Sequence, residues 1–187
     1  MNNIFPNYLI LFLALLPFMK SYFDKTLLSL LLLTALYSYC HAQNDSINAP
    51  YIKSKRLPEF TIYNASDSSA FSNTNLKKNV NTVFIIFNPD CEFCQHETRD
   101  LLNNIGRFKN TQIIMISFMS YESIKKFYNE YKIASYPIIT MGRDDKYFSL
   151  KFFKIKIIPS TIVYDKNGNF KKIFQQRVDM DTLVKEL

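Results

Sequence analysis

The most informative stretch of this chain is residues 87–97, Phe87-Asn88-Pro89-Asp90-Cys91-Glu92-Phe93-Cys94-Gln95-His96-Glu97. A continuous apolar run at Val83–Phe87 leads into it and predicts a strand buried on both faces. Apolar residues at helical spacing come next: Leu101, Leu102, Ile105 and Phe108. The two cysteines therefore lie where a buried strand ends and a helix begins.

A cysteine pair at the start of a helix suits thiol chemistry. The N-terminus of a helix presents unpaired N–H groups and the positive end of its dipole, which stabilise a thiolate, the nucleophilic form of cysteine. The spacing predicts that Cys91 is the exposed attacking thiol. Cys94, one turn inside, would be the resolving thiol that releases a mixed disulfide.

Three other uses of such a pair compete with this interpretation. A zinc site needs four ligands, and only His96 could help if His41 is removed with an N-terminal signal. Haem attachment needs a histidine directly after the second cysteine, where Gln95 stands. A purely structural disulfide remains open as well.

Strands and helices alternate outward from the pair. Before the pair, an edge strand is predicted at Leu57–Tyr63 and a loop at Asn64–Asn81. Strands at Val83–Phe87 and Ile113–Phe118 are each followed by a helix, and a short strand at Tyr136–Met141 and a short helix within 144–153 come next. The chain ends with a hairpin, formed by Ser160–Tyr164 and Asn169–Phe174 around Asp165–Gly168, and a last helix that begins at Asp179. Such alternation predicts an α/β fold with helices on both faces of a sheet. The closing hairpin makes that sheet mixed.

Composition narrows the class of protein. The 187 residues are 48% hydrophobic and include only 3 glycines, which excludes collagen, low-complexity linkers and a mostly disordered chain. Three cysteines are too few for a disulfide-stapled mini-protein. The net charge of +7 is spread over basic runs of at most two residues, which favours a solvated surface over a nucleic-acid partner.

The first 42 residues are expected to lie outside the folded domain. A charged segment at Met19–Lys25, a leucine-rich segment at Thr26–Tyr39 and Cys40-His41-Ala42 together predict a secretory signal peptide, with Met19 as the hypothesised start. An uncleaved anchor at residues 4–39 and a lipid-modified Cys40 are the alternatives. Export implies a periplasmic or otherwise extracytoplasmic, oxidising compartment.

The rest of the chain divides at one boundary. Residues 43–56 are polar and are predicted to form a flexible lead-in, and residues 57–187 the domain.

The domain resembles the thioredoxin superfamily, and within it the exported TlpA/ResA-type thiol-disulfide oxidoreductases. Four segments match in order: Leu57-Pro58-Glu59-Phe60 with the extra N-terminal strand of that branch, the Cys91–Cys94 motif, Ile158-Pro159-Ser160-Thr161 with the cis-proline loop, and Ile162–Gly168 with the hairpin that follows. The resemblance spans residues 57–175. It implies a thioredoxin-like three-layer sandwich with a mixed central sheet and an extra N-terminal strand.

The resemblance also implies a function. Cys91 and Cys94 would form a redox-active disulfide that exchanges with protein thiols and disulfides, and Ile158 and Pro159 would shape the substrate groove. No cofactor or metal is implied. A membrane or periplasmic electron donor would recycle the pair, with membrane attachment through the N-terminus.

The chain departs from the family where a proton acceptor is expected. The buried aspartate that serves thioredoxin in this role would fall at Ile85. Glu59 and Glu97 are the nearest replacements, although Glu97 is expected to be a solvated residue of the helix.

Charges around the first cysteine favour a reducing pair. Asp90 and Glu92 are like charges for a Cys91 thiolate and disfavour it, while the helix dipole opposes them. Less stable thiolates generally accompany a more reducing pair, nearer roughly −270 mV than −120 mV. His96 is expected on the surface.

Two other functions occur on the same fold. A peroxiredoxin-like peroxidase expects a Pro-x-x-x-Thr-x-x-Cys pattern, for which Pro89-Asp90-Cys91 leaves no space. A metal carrier or a redox-inert binding module is the other candidate. Copper carriers on this fold usually have three residues between their cysteines and a distal histidine, whereas two residues separate Cys91 from Cys94 and no histidine follows His96.

Overall fold

In this computed structural model, residues 25–27, 29–31, 33–34 and 49–187 are described. The chain divides into two compact units, residues 1–47 and 48–187. The described residues of the first unit are helical. The predicted signal peptide, with its cleavage site after Ala42, otherwise lies outside the described residues. No helix within the described part is long and apolar enough to cross a membrane.

The second unit is built around one seven-stranded sheet. Its strands are β1 (Thr61–Asn64), β2 (Ala70–Ser72), β3 (Asn81–Ile86), β4 (Thr111–Ser117), β5 (Ile139–Arg143), β6 (Ser160–Tyr164) and β7 (Phe170–Phe174). Its α-helices are α1 (Pro50–Ser54), α2 (Glu92–Asn103), α3 (Tyr121–Glu130), α4 (Phe148–Phe153) and α5 (Met180–Lys185).

The sheet is mixed, as predicted. Its strand order is β2-β1-β5-β4-β3-β6-β7. β3, β4 and β5 are parallel, whereas β6 pairs antiparallel with β3 and with β7. β3 is therefore central, and the cysteine motif follows its carboxyl end.

Side chains of the central strands alternate between two apolar cores. On one face, Val83 and Ile85 pack in the core that includes Leu101 of α2 and Phe127 of α3. On the other face, Phe84 packs in the core that contains residues of α1 and α4. Both faces are buried, which explains the continuous apolar run of β3 and confirms the three-layer α/β sandwich.

The predicted edge strand lies inside the sheet. The residues at 57–60 are not in a strand; the strand begins at Thr61 and pairs with both β2 and β5. The outer neighbour β2 lies in the segment predicted to be a loop. Its three residues are too few to show an alternating pattern, so the sequence contains no signal for this strand. A β-carbon on Gly142 would lie 2.8 Å from the Tyr63 carbonyl oxygen, so the close approach of β5 to β1 requires glycine there.

The predicted lead-in also differs from the structure. Pro50–Ser54 forms α1, with proline in the first turn. Tyr51 is buried against Phe153 and Phe170. The second unit therefore begins at residue 48, nine residues before the predicted start at 57, because Tyr51 and Ala49 are buried in a segment whose sequence is mainly polar.

The remaining predictions agree closely with the structure. Ser120 caps α3 by accepting from the Ser123 N–H, and Asp179 caps α5 by accepting from the Thr182 N–H. Gly168 has a φ of 75° in the hairpin turn, which glycine tolerates without strain. The short strand expected at Tyr136–Met141 is displaced to β5, since Ile133–Ser135 forms a 3₁₀ turn before it.

Candidate active site: a thiol pair beside a buried carboxyl group

A tight turn carries the chain from β3 into α2. The Asn88 side-chain oxygen accepts from the Asp90 N–H at 2.9 Å, and the Asn88 carbonyl accepts from the Cys91 N–H at 3.1 Å. The Gln95 side chain donates to the Pro89 carbonyl at 2.9 Å. These contacts hold the turn against the first turn of α2 and thereby position Cys91.

Cys91 is the N-cap residue of α2, with extended backbone geometry and no capping hydrogen bond from its side chain. Its side chain is partly exposed, and its thiol lies 4.0 Å from the Ile158 carbonyl oxygen. The first cysteine is thus at the helix N-terminus and accessible, as predicted.

Cys94 lies one turn further along and is only 1% exposed. Burial raises its pKa well above the usual range of a thiol, and the neighbouring Cys91 thiol and Glu97 carboxyl group raise it further. The Asn88 N–H, 3.5 Å from the Cys94 sulfur, partly opposes the increase. Both cysteines are free thiols in this structure.

Glu97 is a buried residue, and the expectation that it would be solvated is wrong. It is 1% exposed on the face of α2 that also carries Cys94 and Leu101. Cys94, Glu97 and Leu101 follow one another at intervals of three and four residues, which is the spacing of one helix face. That spacing was the available signal, since it places Glu97 between two buried residues.

The Glu97 carboxyl group has one strong hydrogen bond. Its Oε1 accepts from the Thr161 hydroxyl at 2.8 Å, whereas its Oε2 is buried and has no hydrogen-bond partner among the described residues. Burial raises the pKa of Glu97 to about 7, against the lowering effects of Thr161, of the Val178 backbone and of the Arg177 charge. Glu97 can therefore bind and release a proton near neutral pH.

The ionisation of Cys94 is linked to that of Glu97, because the Glu97 charge acts on the Cys94 thiol. A thiolate at Cys94 is disfavoured because the side chain is buried away from water, which would otherwise solvate the negative charge. If the Cys94 proton moves to the Glu97 carboxylate, the total charge of the buried site does not change. The desolvation penalty of forming the thiolate is then largely offset by the loss of the buried carboxylate charge.

The loop before β6 forms one wall of a groove next to Cys91. The Ile158–Pro159 peptide bond is cis, as the resemblance implies, and Pro159 is buried. The groove has a volume of about 530 Å³ and is lined by Phe93, Ile157, Ile158, Pro159, Gln176, Arg177 and Asp179. Phe93 and Ile157 are 65% and 54% exposed, so a large apolar surface lies open beside the thiol pair.

The acidic residues proposed as modulators occupy different environments. Asp90 and Glu92 are exposed at the start of α2, and the Glu92 carboxylate lies 3.8 Å from His96 Nε2. His96 is a surface residue, as expected. Glu59 is exposed on the segment before β1 and makes no hydrogen bond within the described residues, so Glu97 alone lies beside Cys94.

Two residues of this site had no part in the sequence prediction. Arg177 and Asp100 form an ion pair at 2.5 Å, and the Arg177 charge acts on Glu97. The two are 77 positions apart, so only the fold brings them together.

No group of three or more His, Cys, Asp or Glu side chains in the described part of the chain could hold a metal ion.

Comparisons with known proteins agree with the fold. A DsbF homologue from Corynebacterium diphtheriae superposes with a TM-score of 0.59 at 17% identity, over 70% of this chain and 83% of that one. A secreted Mycobacterium tuberculosis disulfide oxidoreductase homologous to Escherichia coli DsbE gives 0.57 at 17%, over 68% and 92%. A peroxiredoxin-like protein from Aquifex aeolicus gives 0.57 at 16%, over 70% and 82%. These identities establish a shared fold, and the predicted thioredoxin-like architecture is confirmed.

A sequence comparison identifies the family. The AhpC/TSA family matches residues 54–173, which include the cysteine pair, the buried glutamate and the proline loop. No curated protein sequence matches significantly. On the family match, the chain is a redox protein of the thioredoxin superfamily and belongs to the AhpC/TSA family.

Proposed function

We propose that this protein is an extracytoplasmic thiol-disulfide oxidoreductase of the TlpA/ResA type that reduces disulfides in protein substrates. The observation that carries the proposal is the arrangement of three groups on α2. Cys91 is accessible at the helix N-terminus, Cys94 is buried one turn inside, and the Glu97 carboxyl group lies one turn further on the same face. The groove beside Ile158 and Pro159 would hold the substrate segment.

The reaction proceeds in two exchanges. The Cys91 thiolate attacks one sulfur of the substrate disulfide, which forms a mixed disulfide and releases the other substrate sulfur as a thiolate. The Cys94 proton then passes to the Glu97 carboxylate. The Cys94 thiolate attacks the Cys91 sulfur, closes the Cys91–Cys94 disulfide and releases the second substrate thiolate, so two electrons have moved to the substrate.

The direction of the reaction rests on the charges around Cys91. Asp90 and Glu92 are both exposed, and they place two negative charges on either side of Cys91 in the chain. A pair whose reduced form is not specially stabilised acts as a reductant, because it readily gives up electrons. A membrane or periplasmic thiol carrier would return the pair to its reduced state, and the apolar N-terminal stretches would direct export or attachment to the membrane.

Insulin reduction tests the proposal directly. The reduced protein should precipitate insulin chains, and Cys91→Ser should abolish this activity. Cys94→Ser should instead trap a mixed disulfide, visible as an added mass that dithiothreitol removes. If Cys91→Ser retained the activity of the wild type, the assignment of the attacking thiol would be wrong.

A peroxidase is the second candidate, because the AhpC/TSA family match and the peroxiredoxin-like structural neighbour both favour it. The chain has Asn88 three positions before Cys91, where the peroxidase pattern has threonine. Consumption of hydrogen peroxide by the reduced protein, at a rate well above that of free thiol, would favour the peroxidase over the disulfide reductase.

A further inference from the structure

The buried glutamate lies beneath a loop that also borders the groove. This loop follows β7 and contains Arg177 and Val178. Val178 is buried, and its backbone lies close enough to Glu97 to affect its pKa. Arg177 points outward, lines the groove next to Ile158 and Pro159, and forms the 2.5 Å ion pair with Asp100. One side chain is thus shared between the groove and the environment of Glu97.

Asp100 brings this ion pair close to the buried acid. It lies three residues after Glu97 on α2, so the two carboxyl groups are neighbours on one side of the helix. The groups that face Glu97 are Cys94 and Asp100 from its own helix, Thr161 from β6, and Arg177 with the Val178 backbone from the loop. Arg177 is the one cation in this set.

We propose that Arg177 is a positioning residue that couples occupancy of the groove to the proton affinity of Glu97. The inference rests on the proposed function, because it assumes that a substrate segment enters this groove. It also names the class of substrate. The favoured segment carries an aspartate or glutamate next to its reacting cysteine, which can compete for the Arg177 guanidinium with Asp100 and Asp179, the carboxylates that already act on it.

The coupling acts in the direction that the second exchange needs. In the free protein, the Arg177 charge favours the ionised form of Glu97 and offsets the repulsion from Asp100. A substrate carboxylate that draws Arg177 into the groove weakens this offset. Glu97 then binds a proton more readily, at the stage when Cys94 must lose its proton to resolve the mixed disulfide.

Two substitutions separate this role from simple support of the structure. Arg177→Gln and Asp100→Asn break the same ion pair, yet they remove opposite charges. With the full chain labelled with ¹³C at glutamate carboxyl groups and kept reduced, we expect the titration midpoint of Glu97 to rise in Arg177→Gln. The midpoint should fall in Asp100→Asn, each by roughly half a pH unit, since the pair is partly exposed and screened. Arg177→Lys should stay near the wild type.

The outcome that overturns the inference is equally specific. A pair that acts only by holding the loop in place predicts that both variants shift the midpoint in the same direction. That result, or no shift in either variant, would remove Arg177 from the proton-transfer mechanism.

A second measurement tests the link to the groove. In Cys94→Ser, Cys91 is joined by a disulfide to a short peptide with either aspartate or asparagine beside its cysteine. We expect a higher Glu97 midpoint with the aspartate peptide, and a smaller difference between the peptides when Arg177→Gln is added. Equal midpoints with the two peptides would overturn the coupling. Failure of any peptide disulfide to form at Cys91 would contradict the proposed function instead, while the peptide-free titrations still decide the role of Arg177.

Discussion

The Thr161 hydroxyl of β6 donates a 2.8 Å hydrogen bond to the Glu97 carboxyl group of α2. Thr161 lies in β6, two residues after Pro159. The strand that follows the groove-lining loop therefore also holds the Glu97 carboxyl group in place. The bond crosses from the central sheet to the helix that carries both cysteines. The orientation of the carboxyl group is therefore fixed by the sheet, and α2 alone does not determine it.

Removing the charge of Glu97 should change stability in a pH-dependent way. The folded pKa of about 7 lies above the ordinary value of 4.5 for glutamic acid, so the folded state binds the proton more tightly than the unfolded state. The contribution of Glu97 to stability is then fully present below pH 4.5 and is lost as pH rises toward 7. We expect Glu97→Gln to be more stable than the wild type at pH 8, by about 3 kcal/mol at most. The two proteins should converge near pH 4.5 in urea unfolding.

Glu97→Gln should also slow the second exchange. The glutamine cannot accept the Cys94 proton, and a positioned proton acceptor typically accelerates such a step by about 10²-fold or more. Quenched single-turnover reactions should therefore show accumulation of the mixed disulfide at Cys91. A variant that resolves the mixed disulfide at the wild-type rate would exclude Glu97 as the acceptor.

Thr161→Val should raise the pKa of Glu97 further, because the hydrogen bond from Thr161 favours the ionised carboxyl group. It should also destabilise the fold by about 1–3 kcal/mol at pH 8, since Glu97 Oε1 loses its partner in a buried site. Thr161→Ser keeps the hydroxyl and serves as the matched control. Carboxyl titration and urea unfolding measure the two effects, and identical midpoints in the two variants would contradict the assigned role of this bond.

Phe93→Ala should weaken the use of protein substrates without affecting the fold. Phe93 is largely exposed in the groove, so its removal should alter the free energy of unfolding by less than about 0.5 kcal/mol. The KM for insulin should rise several-fold, while the rate with a small aromatic disulfide should stay near that of the wild type. Tyr147→Ala removes another exposed aromatic side chain, outside the groove lining, and should leave both rates unchanged.

The reduction potential of the Cys91–Cys94 pair should lie at or below roughly −220 mV. Asp90→Asn/Glu92→Gln removes two exposed negative charges next to Cys91 in the chain, and we expect the potential of this variant to be less negative than that of the wild type. Equilibration with dithiothreitol or glutathione buffers, followed by alkylation and mass measurement, gives both values. A wild-type potential between roughly −120 and −180 mV would indicate an oxidant or isomerase.

Much of the fold could be predicted because β3 and β4 are buried on both faces. Their sequences therefore contain continuous apolar runs, which indicate central strands. β2 could not be predicted, since its three residues have neither apolar alternation nor length. The environment of Glu97 depends on Thr161 and on the loop after β7, both of which are distant from it in sequence. The residues around Glu97 therefore give no signal from which these contacts could be predicted. The spacing from Cys94 to Leu101 did contain a signal for burial, which the charge of glutamate outweighed.

The close spacing of the two cysteines has a consequence for the stability of the domain during turnover. A disulfide stabilises a protein mainly by restricting its unfolded chain, and this effect is larger for a longer enclosed loop and smaller for a shorter one. A bond from Cys91 to Cys94 would enclose only two other residues, so it restricts the unfolded chain very little. The stability of the domain comes mainly from the two apolar cores on either face of the sheet, and much less from this disulfide. We therefore expect this loop-closure effect to contribute little to any difference in the free energy of unfolding between the dithiol and disulfide forms.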